Sequence, residues 1–143
     1  MIDIDEDDLC YWQNKQTGGV FTGKAKLNKS FLDQNVWICD VEKLNNLLKT
    51  NHNLMFIIGM PDNIDEIIDL VDKIILFQCQ PETFLNRIKK REDNEFGKDI
   101  TAQKEIMSWK DDFENRMLSK GTIVIDTEQS VDSVLNQVLE VVK

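Results

Sequence analysis

Residues 54–63 read Leu54-Met55-Phe56-Ile57-Ile58-Gly59-Met60-Pro61-Asp62-Asn63, and this stretch decides the fold class. Five apolar residues without polar alternation suit a strand buried on both faces, as strands of parallel sheets are. Glycine and proline then break the run. Asp62 or Asn63 can cap a helix that carries Ile64, Ile67, Ile68 and Val71 on one face. Strand, turn and helix in this order open a β-α-β unit.

The rhythm continues on both sides. Upstream, Asp40 can cap a helix whose apolar positions Val41, Leu44, Leu47 and Leu48 share a face. Downstream, residues 74–79 read as a second buried strand. Pro81 fits the first turn of the next helix, where its missing N–H costs nothing, with Phe84, Leu85 and Ile88 turned inward. A polar stretch at 94–99 interrupts the pattern. A longer helix then carries Ala102, Ile106, Trp109, Phe113 and Met117 on its apolar stripe, and Gly121 ends it. Residues 122–125 form a third apolar run, and Ser130 can cap a last helix bearing Val134, Leu135, Val138 and Val142. This alternation predicts an α/β fold with right-handed crossovers and a mainly parallel sheet covered by helices on both faces. Residues 12–35 differ: they are polar, hold Gly18, Gly19 and Gly23, and have weak periodicity. An irregular excursion or a short hairpin is expected there.

A chain of 143 residues fits one ordinary domain, so residues 1–143 are read as a single unit. The net charge of -9 and a pI near 4.6 exclude a general nucleic-acid binder, which needs a basic surface. No apolar run reaches the roughly 18 residues of a membrane span. The opening Met1-Ile2-Asp3-Ile4-Asp5 is too acidic for a signal peptide. Cys10, Cys39 and Cys79 are widely spaced, odd in number and form no CxxC pair, so neither a disulfide framework nor a zinc site is expected. They read as reduced thiols of a cytoplasmic protein.

Four places carry chemistry-bearing residues. If residues 2–5 are a strand, Asp3 and Asp5 share one face. Two carboxylates there can hold a hydrated Mg²⁺ or act as base toward a substrate hydroxyl, or they are simply a solvated acidic terminus. Arg87 and Arg91, four apart, belong to a basic cluster with Lys89, Lys90 and Lys98. They can clamp phosphate or stack on a base, or they complement the dipole of an exposed helix end. Arg116 beside Phe113 points to a cleft or pairs with Glu114 or Asp112. Gly59 and the 126–130 loop (Asp126, Thr127, Ser130) follow strands at the ends where α/β folds bind ligands, or are plain strand-to-helix punctuation. His52, among asparagines, reads as a surface residue, and the three tryptophans as packing residues.

Taken in order, these segments resemble the small P-loop kinases of the nucleoside-monophosphate and shikimate kinase type. The markers are Ile2-Asp3-Ile4-Asp5-Glu6-Asp7 before Tyr11-Trp12, and Phe56-Ile57-Ile58-Gly59. Next come residues 72–91, Asn94-Glu95-Phe96-Gly97-Lys98 as a lid at about 92–100, and residues 109–116. Gly121-Thr122-Ile123-Val124-Ile125-Asp126 closes the series. The resemblance implies ATP and Mg²⁺ as cofactors, with transfer of the γ-phosphoryl to a small acceptor. It implies that Asp3 and Asp5 face acceptor and Mg²⁺. Arg87 would pack on adenine, Arg91 lie near the phosphates, and Arg116 meet substrate or phosphate. Gly59 would lie on the substrate side, and Asp126, Thr127 and Ser130 beside the base.

One part of that family is missing. No G-x-x-x-x-G-K-[ST] occurs; Gly18-Gly19-Val20-Phe21-Thr22-Gly23-Lys24-Ala25 comes nearest and has neither the spacing nor the Ser/Thr. The family's first strand, at the centre of its sheet, has no counterpart either. Its loss is expected to leave two pairs of strands or to force them together. Direct pairing of segments 54–58 and 74–79, or self-association as a homo-oligomer, is the expected outcome, because apolar strand edges do not stay exposed to water. The reading is of a truncated or degenerate kinase-like protein, with a non-catalytic nucleotide-binding or interaction domain as the alternative. Since the backbone amides of the missing loop form most of the phosphate cradle, this chain with Mg²⁺ and ATP is expected to show no turnover above background. A coupled assay returning a rate in the range of about 1–100 s⁻¹, ordinary for kinases, would contradict this.

Overall fold

The computed structural model describes residues 1–5, 8–25, 27–50, 54–92 and 97–143. Glu6, Asp7, His52 and residues 93–96 of the expected lid lie outside the described residues. The chain is α/β, and its contacts divide it into two compact units, Met1–Asp72 and Lys73–Lys143.

The first unit runs β1 (Ile2–Asp3), β2 (Cys10–Asn14), α1 (Lys29–Gln34), β3 (Asn35–Cys39), α2 (Val41–Thr50), β4 (Ile57–Ile58) and α3 (Ile64–Ile68). β1 and β4 are parallel, with Ile2 opposite Ile57 and Asp3 opposite Ile58. The ladder extends through Ile2 N–H to Phe56 O at 2.8 Å and Ile4 N–H to Ile58 O at 2.9 Å. β2 and β3 are antiparallel, from Cys10 opposite Cys39 to Asn14 opposite Asn35. The expected short hairpin is present. Asn14 Oδ1 accepts the amides of Gln16 and Thr17 at 3.0 Å each, and Val20 returns to bridge Gln13. Asn28 caps α1 through the Phe31 amide, and Asp40 caps α2 through the Lys43 amide at 2.9 Å. Ile2, Ile4, Leu9, Cys39, Leu44 and Ile67 form the core. Leu44 is fully enclosed, while Leu47 of the same helix is largely exposed, so the apolar face of α2 is narrower than its sequence pattern.

The second unit runs β5 (Ile75–Gln78), α4 (Pro81–Lys90), α5 (Ile100–Leu118), β6 (Ile123–Asp126) and α6 (Val131–Val141). β5 and β6 are parallel and in full register, from Ile75 opposite Ile123 to Gln78 opposite Asp126. Pro81 occupies the first turn of α4, Asp99 caps α5 through the Ala102 amide, and Ser130 caps α6 through the Ser133 amide. Leu76, Ile88, Ile106, Met117 and Ile125 are the buried apolar residues of this unit.

Four expectations need correction. Among the described residues the strands form three separate two-stranded sheets, two parallel and one antiparallel, rather than one mainly parallel sheet. Segments 54–58 and 74–79 do not pair with each other: β4 takes β1, and β5 takes β6. The apolar runs are also not buried on both faces, since Leu54, Ile58, Phe77, Ile123 and Val124 are exposed. Finally, the buried stripe of α5 is rotated from the expected one. Gln103, Ile106, Lys110 and Met117 are buried, while Trp109 faces outward.

Gly59 has φ 145°, and a Cβ there would lie 2.2 Å from Cγ1 of Ile4, which is itself fully buried. Gly121 has φ 76° and open space around it. Gly59→Ala therefore adds overpacking to backbone strain and is expected to destabilise the protein by roughly 2–4 kcal/mol. Gly121→Ala meets backbone strain alone, about 1 kcal/mol. Urea denaturation of the two variants measures the order, and equal losses would show that Ile4 yields.

Candidate functional site

Each unit presents a cluster at the carboxyl end of its parallel pair. In the first unit, Asp3 sits opposite Ile58, so the segment leaving β1 and the turn leaving β4 emerge side by side. This brings Asp5 beside Gly59, whose missing side chain leaves room for Ile4 and for Asp5 Oδ2, 3.4 Å from where a Cβ would stand. Strand β1 ends at Asp3, so Asp5 does not continue the strand face with Asp3. The two are joined instead by a turn in which the Asp5 amide donates to Asp3 Oδ1 at 3.1 Å.

Trp37 of β3 organises this end. Its indole Nε1–H donates to Asp5 Oδ1 at 2.6 Å. Its backbone N–H donates to Asp62 Oδ2 at 2.7 Å, and its carbonyl accepts from the Asp62 amide at 2.7 Å. Asn63 extends the seam: its side-chain Oδ1 accepts from Cys39 N–H at 2.9 Å, and its Nδ2–H donates to Cys39 O at 3.0 Å. Asn63 is the N-cap of α3 but makes no side-chain capping bond, because its amide is spent on β3. Among the described residues no three His, Cys, Asp or Glu side chains converge as a metal cage. The donor set here fits only a cation that keeps most of its water, as Mg²⁺ does.

In the second unit, Arg87 lies on α4 and reaches the loop after β6. Its Nη1–H donates to Thr127 Oγ1 at 2.8 Å and its Nη2–H to Thr127 O at 2.6 Å. Thr127 is fastened to β5 in turn, its amide and hydroxyl both donating to Gln78 O, at 2.8 and 2.9 Å. Glu128 caps α4 from a distance: Oε1 accepts the Gln80 amide at 2.8 Å and Oε2 the Thr83 hydroxyl at 3.0 Å. Asp126 Oδ1 accepts the Glu128 amide at 2.9 Å and shapes the loop. Ser130 serves as the N-cap of α6.

A cleft of about 360 Å³ opens beside this loop, lined in part by Gln78, Gln80, Lys110, Glu114 and Asp126. Lys110 Nζ lies 2.6 Å from Glu114 Oε1, with both side chains largely buried, and 5.8 Å from the centre of the Phe84 ring. Gln78 Nε2–H donates to Glu114 Oε2 at 2.8 Å. With Asp111 and Asp126 the lining carries three carboxylates against one ammonium, a field that repels polyphosphate.

Of the residues singled out from sequence, the structure brings Asp5 to Gly59 and Arg87 to Thr127. It separates others. Helix α4 ends at Lys90, so Arg91 is its C-cap with ψ 141° and does not share a helical face with Arg87. Arg116, in the last turn of α5, lies 6.0 Å from the Phe113 ring. The bonds that Trp37, Asn63 and Glu128 make, and the buried place of Lys110, are not written in the local sequence. Only the Lys110–Glu114 spacing of four was a legible signal.

Among the described residues no helix is long and apolar enough to cross a membrane. Comparison with protein-family models, with curated proteins and with solved structures returns no match.

Removing one member of a buried ion pair strands the other charge. Glu114→Ala is expected to lower stability by about 2–4 kcal/mol, measured by thermal or urea unfolding. The double change Lys110→Met with Glu114→Leu should recover most of that loss. A single variant as stable as wild type would mean that Lys110 reaches water.

Proposed function

We propose that this chain is a kinase-like, nucleotide-binding protein that holds the base of an adenine nucleotide at the carboxyl end of β5 and β6, its 143 residues containing no phosphate-loop motif. The observation that carries this reading is the double hydrogen bond from Arg87 to Thr127. The two segments that the kinase resemblance sets on either side of adenine are here in direct contact, and a guanidinium is a group able to stack on a base. The two parallel pairs, β1 with β4 and β5 with β6, support the reading further, because a small-kinase sheet without its central strand divides in this way. Asp3 and Asp5, near Gly59, would serve the acceptor and a hydrated Mg²⁺ in such a protein.

The charge of the cleft limits what is bound. Three carboxylates and one ammonium favour an uncharged base and ribose over a triphosphate. An interaction domain without nucleotide is the second reading. It is favoured by the apolar side chains left exposed on the second unit, Phe77 and Val124 on its strands and Val131, Leu135 and Leu139 along α6.

Calorimetric titration separates the two. ADP and adenosine are expected to bind with comparable affinity, and Arg87→Ala to weaken both about tenfold, the scale of one lost stacking contact. Circular dichroism of the variant checks that the fold survives loss of the Thr127 contacts. No heat with either ligand, together with concentration-dependent sedimentation, would replace the nucleotide reading with the second one.

A further inference from the structure

Cys10 and Cys39 stand opposite each other in the β2–β3 ladder. The neighbouring hydrogen bonds decide what kind of pair they are. Asp40 N–H donates to Leu9 O at 2.8 Å, so position 9 with 40 is a hydrogen-bonded pair. The next pair along is then a non-hydrogen-bonded one, because the two kinds alternate in antiparallel sheets. Consistent with this, Cys39 N–H turns away from β2 and donates to Asn63 Oδ1. Non-hydrogen-bonded pairs hold their Cα atoms about 4.5 Å apart with the side chains closest. That separation lies within the roughly 4.4–6.8 Å a disulfide spans. Cys39 is only 2% exposed whereas Cys10 is half-buried, so a reagent from solvent meets Cys10 first. Cys79, after β5, is not in this ladder.

We propose that Cys10 and Cys39 form a reversible dithiol–disulfide pair, with Cys10 the attacking thiol and Cys39 the resolving one. The oxidant is a low-molecular-weight disulfide. Cys10 thiolate attacks one of its sulfurs, forming a mixed disulfide, and the first small thiol leaves with a proton. Cys39 then attacks Cys10 Sγ. The Cys10–Cys39 bond forms as the mixed disulfide breaks, and the second small thiol leaves with the other proton. Two electrons pass from the protein to the oxidant. The new bond would join β2 to β3 at the residue that Asn63 clamps on its other side, tying the hairpin to the loop that carries Gly59.

Burial raises the Cys10 thiol above the ordinary cysteine range, with Cys39 and the carboxylates of Asp5 and Asp3 adding to it. Burial also raises Cys39; the hydrogen bond from Cys10 opposes this, and Asp40 and Asp5 reinforce it. Lys43, on the adjoining helix, directs its ammonium to Asp8 O. Both shifts disfavour the thiolate, so exchange is expected to be slow near neutral pH and to quicken as pH rises.

The test incubates the folded full chain with excess oxidised glutathione, blocks remaining thiols, and maps the digest by mass spectrometry. The expected product is a cross-linked pair of peptides holding Cys10 and Cys39, lighter by two hydrogens and reversed by dithiothreitol, with Cys79 still open to alkylation. Cys39→Ser should stop at a stable glutathione adduct on Cys10, and Cys79→Ser should behave as wild type. If a serine variant fails to fold, the wild-type map decides alone. A glutathione adduct on Cys10 that persists in wild type would overturn the proposal. So would cross-links through Cys79, or a Cys10–Cys39 link that forms only in denaturant.

Discussion

Every strand described in this protein pairs with one other strand, and apart from β2, which residues 19–21 bridge on its far side, the peptide groups on the other edge need partners from elsewhere. A buried N–H or C=O left unmatched costs about 1–3 kcal/mol, more than a small unit can bear along a whole strand. The outer edge of β3 is served by side chains instead. Asn63 presents both ends of its amide to Cys39, as a peptide group would, and Asp62 exchanges a backbone and a side-chain bond with Trp37. Two residues thus stand where another strand could run.

The same device recurs beyond β6. Thr127 doubles its bond to Gln78 O, and Glu128 takes over the capping of α4 that Gln80 does not provide. These fasteners are polar, lie at the carboxyl ends of parallel strands, and engage charged side chains. Structural closure and candidate binding chemistry therefore fall on one set of residues. Asp5 is held by an indole and Arg87 by a threonine, so any ligand at either place meets a side chain already oriented by the fold.

Orientation and charge set opposite limits on the second cluster. The Lys110–Glu114–Gln78 group lines a cleft beside the loop that Arg87 reaches, yet its carboxylates outnumber its cation. A phosphate-binding loop supplies backbone amides that offset such a field, and these 143 residues contain no such motif. The cleft is better matched to an uncharged ring than to the phosphates such a ring carries.

The sequence by itself determined the α/β class, the capping of α2 and α6 by Asp40 and Ser130, and the possibility of a short hairpin within residues 12–35. Each of these is written in a few adjacent side chains whose hydrogen bonds are local. The place of Pro81 in α4 is legible for the same reason. Burial was misjudged where it depends on distant neighbours: residues 54–58 and 74–79 are apolar enough for a central strand, but apolarity does not say how many strands will lie alongside. The rotation of α5, which buries Lys110 and exposes Trp109, depends on Glu114 meeting the ammonium and on Gln78, 36 residues from Glu114 in the chain, donating to that carboxylate. Glu128 at the start of α4, the indole of Trp37 on Asp5 and the facing thiols of Cys10 and Cys39 likewise join segments far apart in sequence. Only tertiary structure could decide them, because hydrogen-bond partners are selected by proximity in space and not by order along the chain.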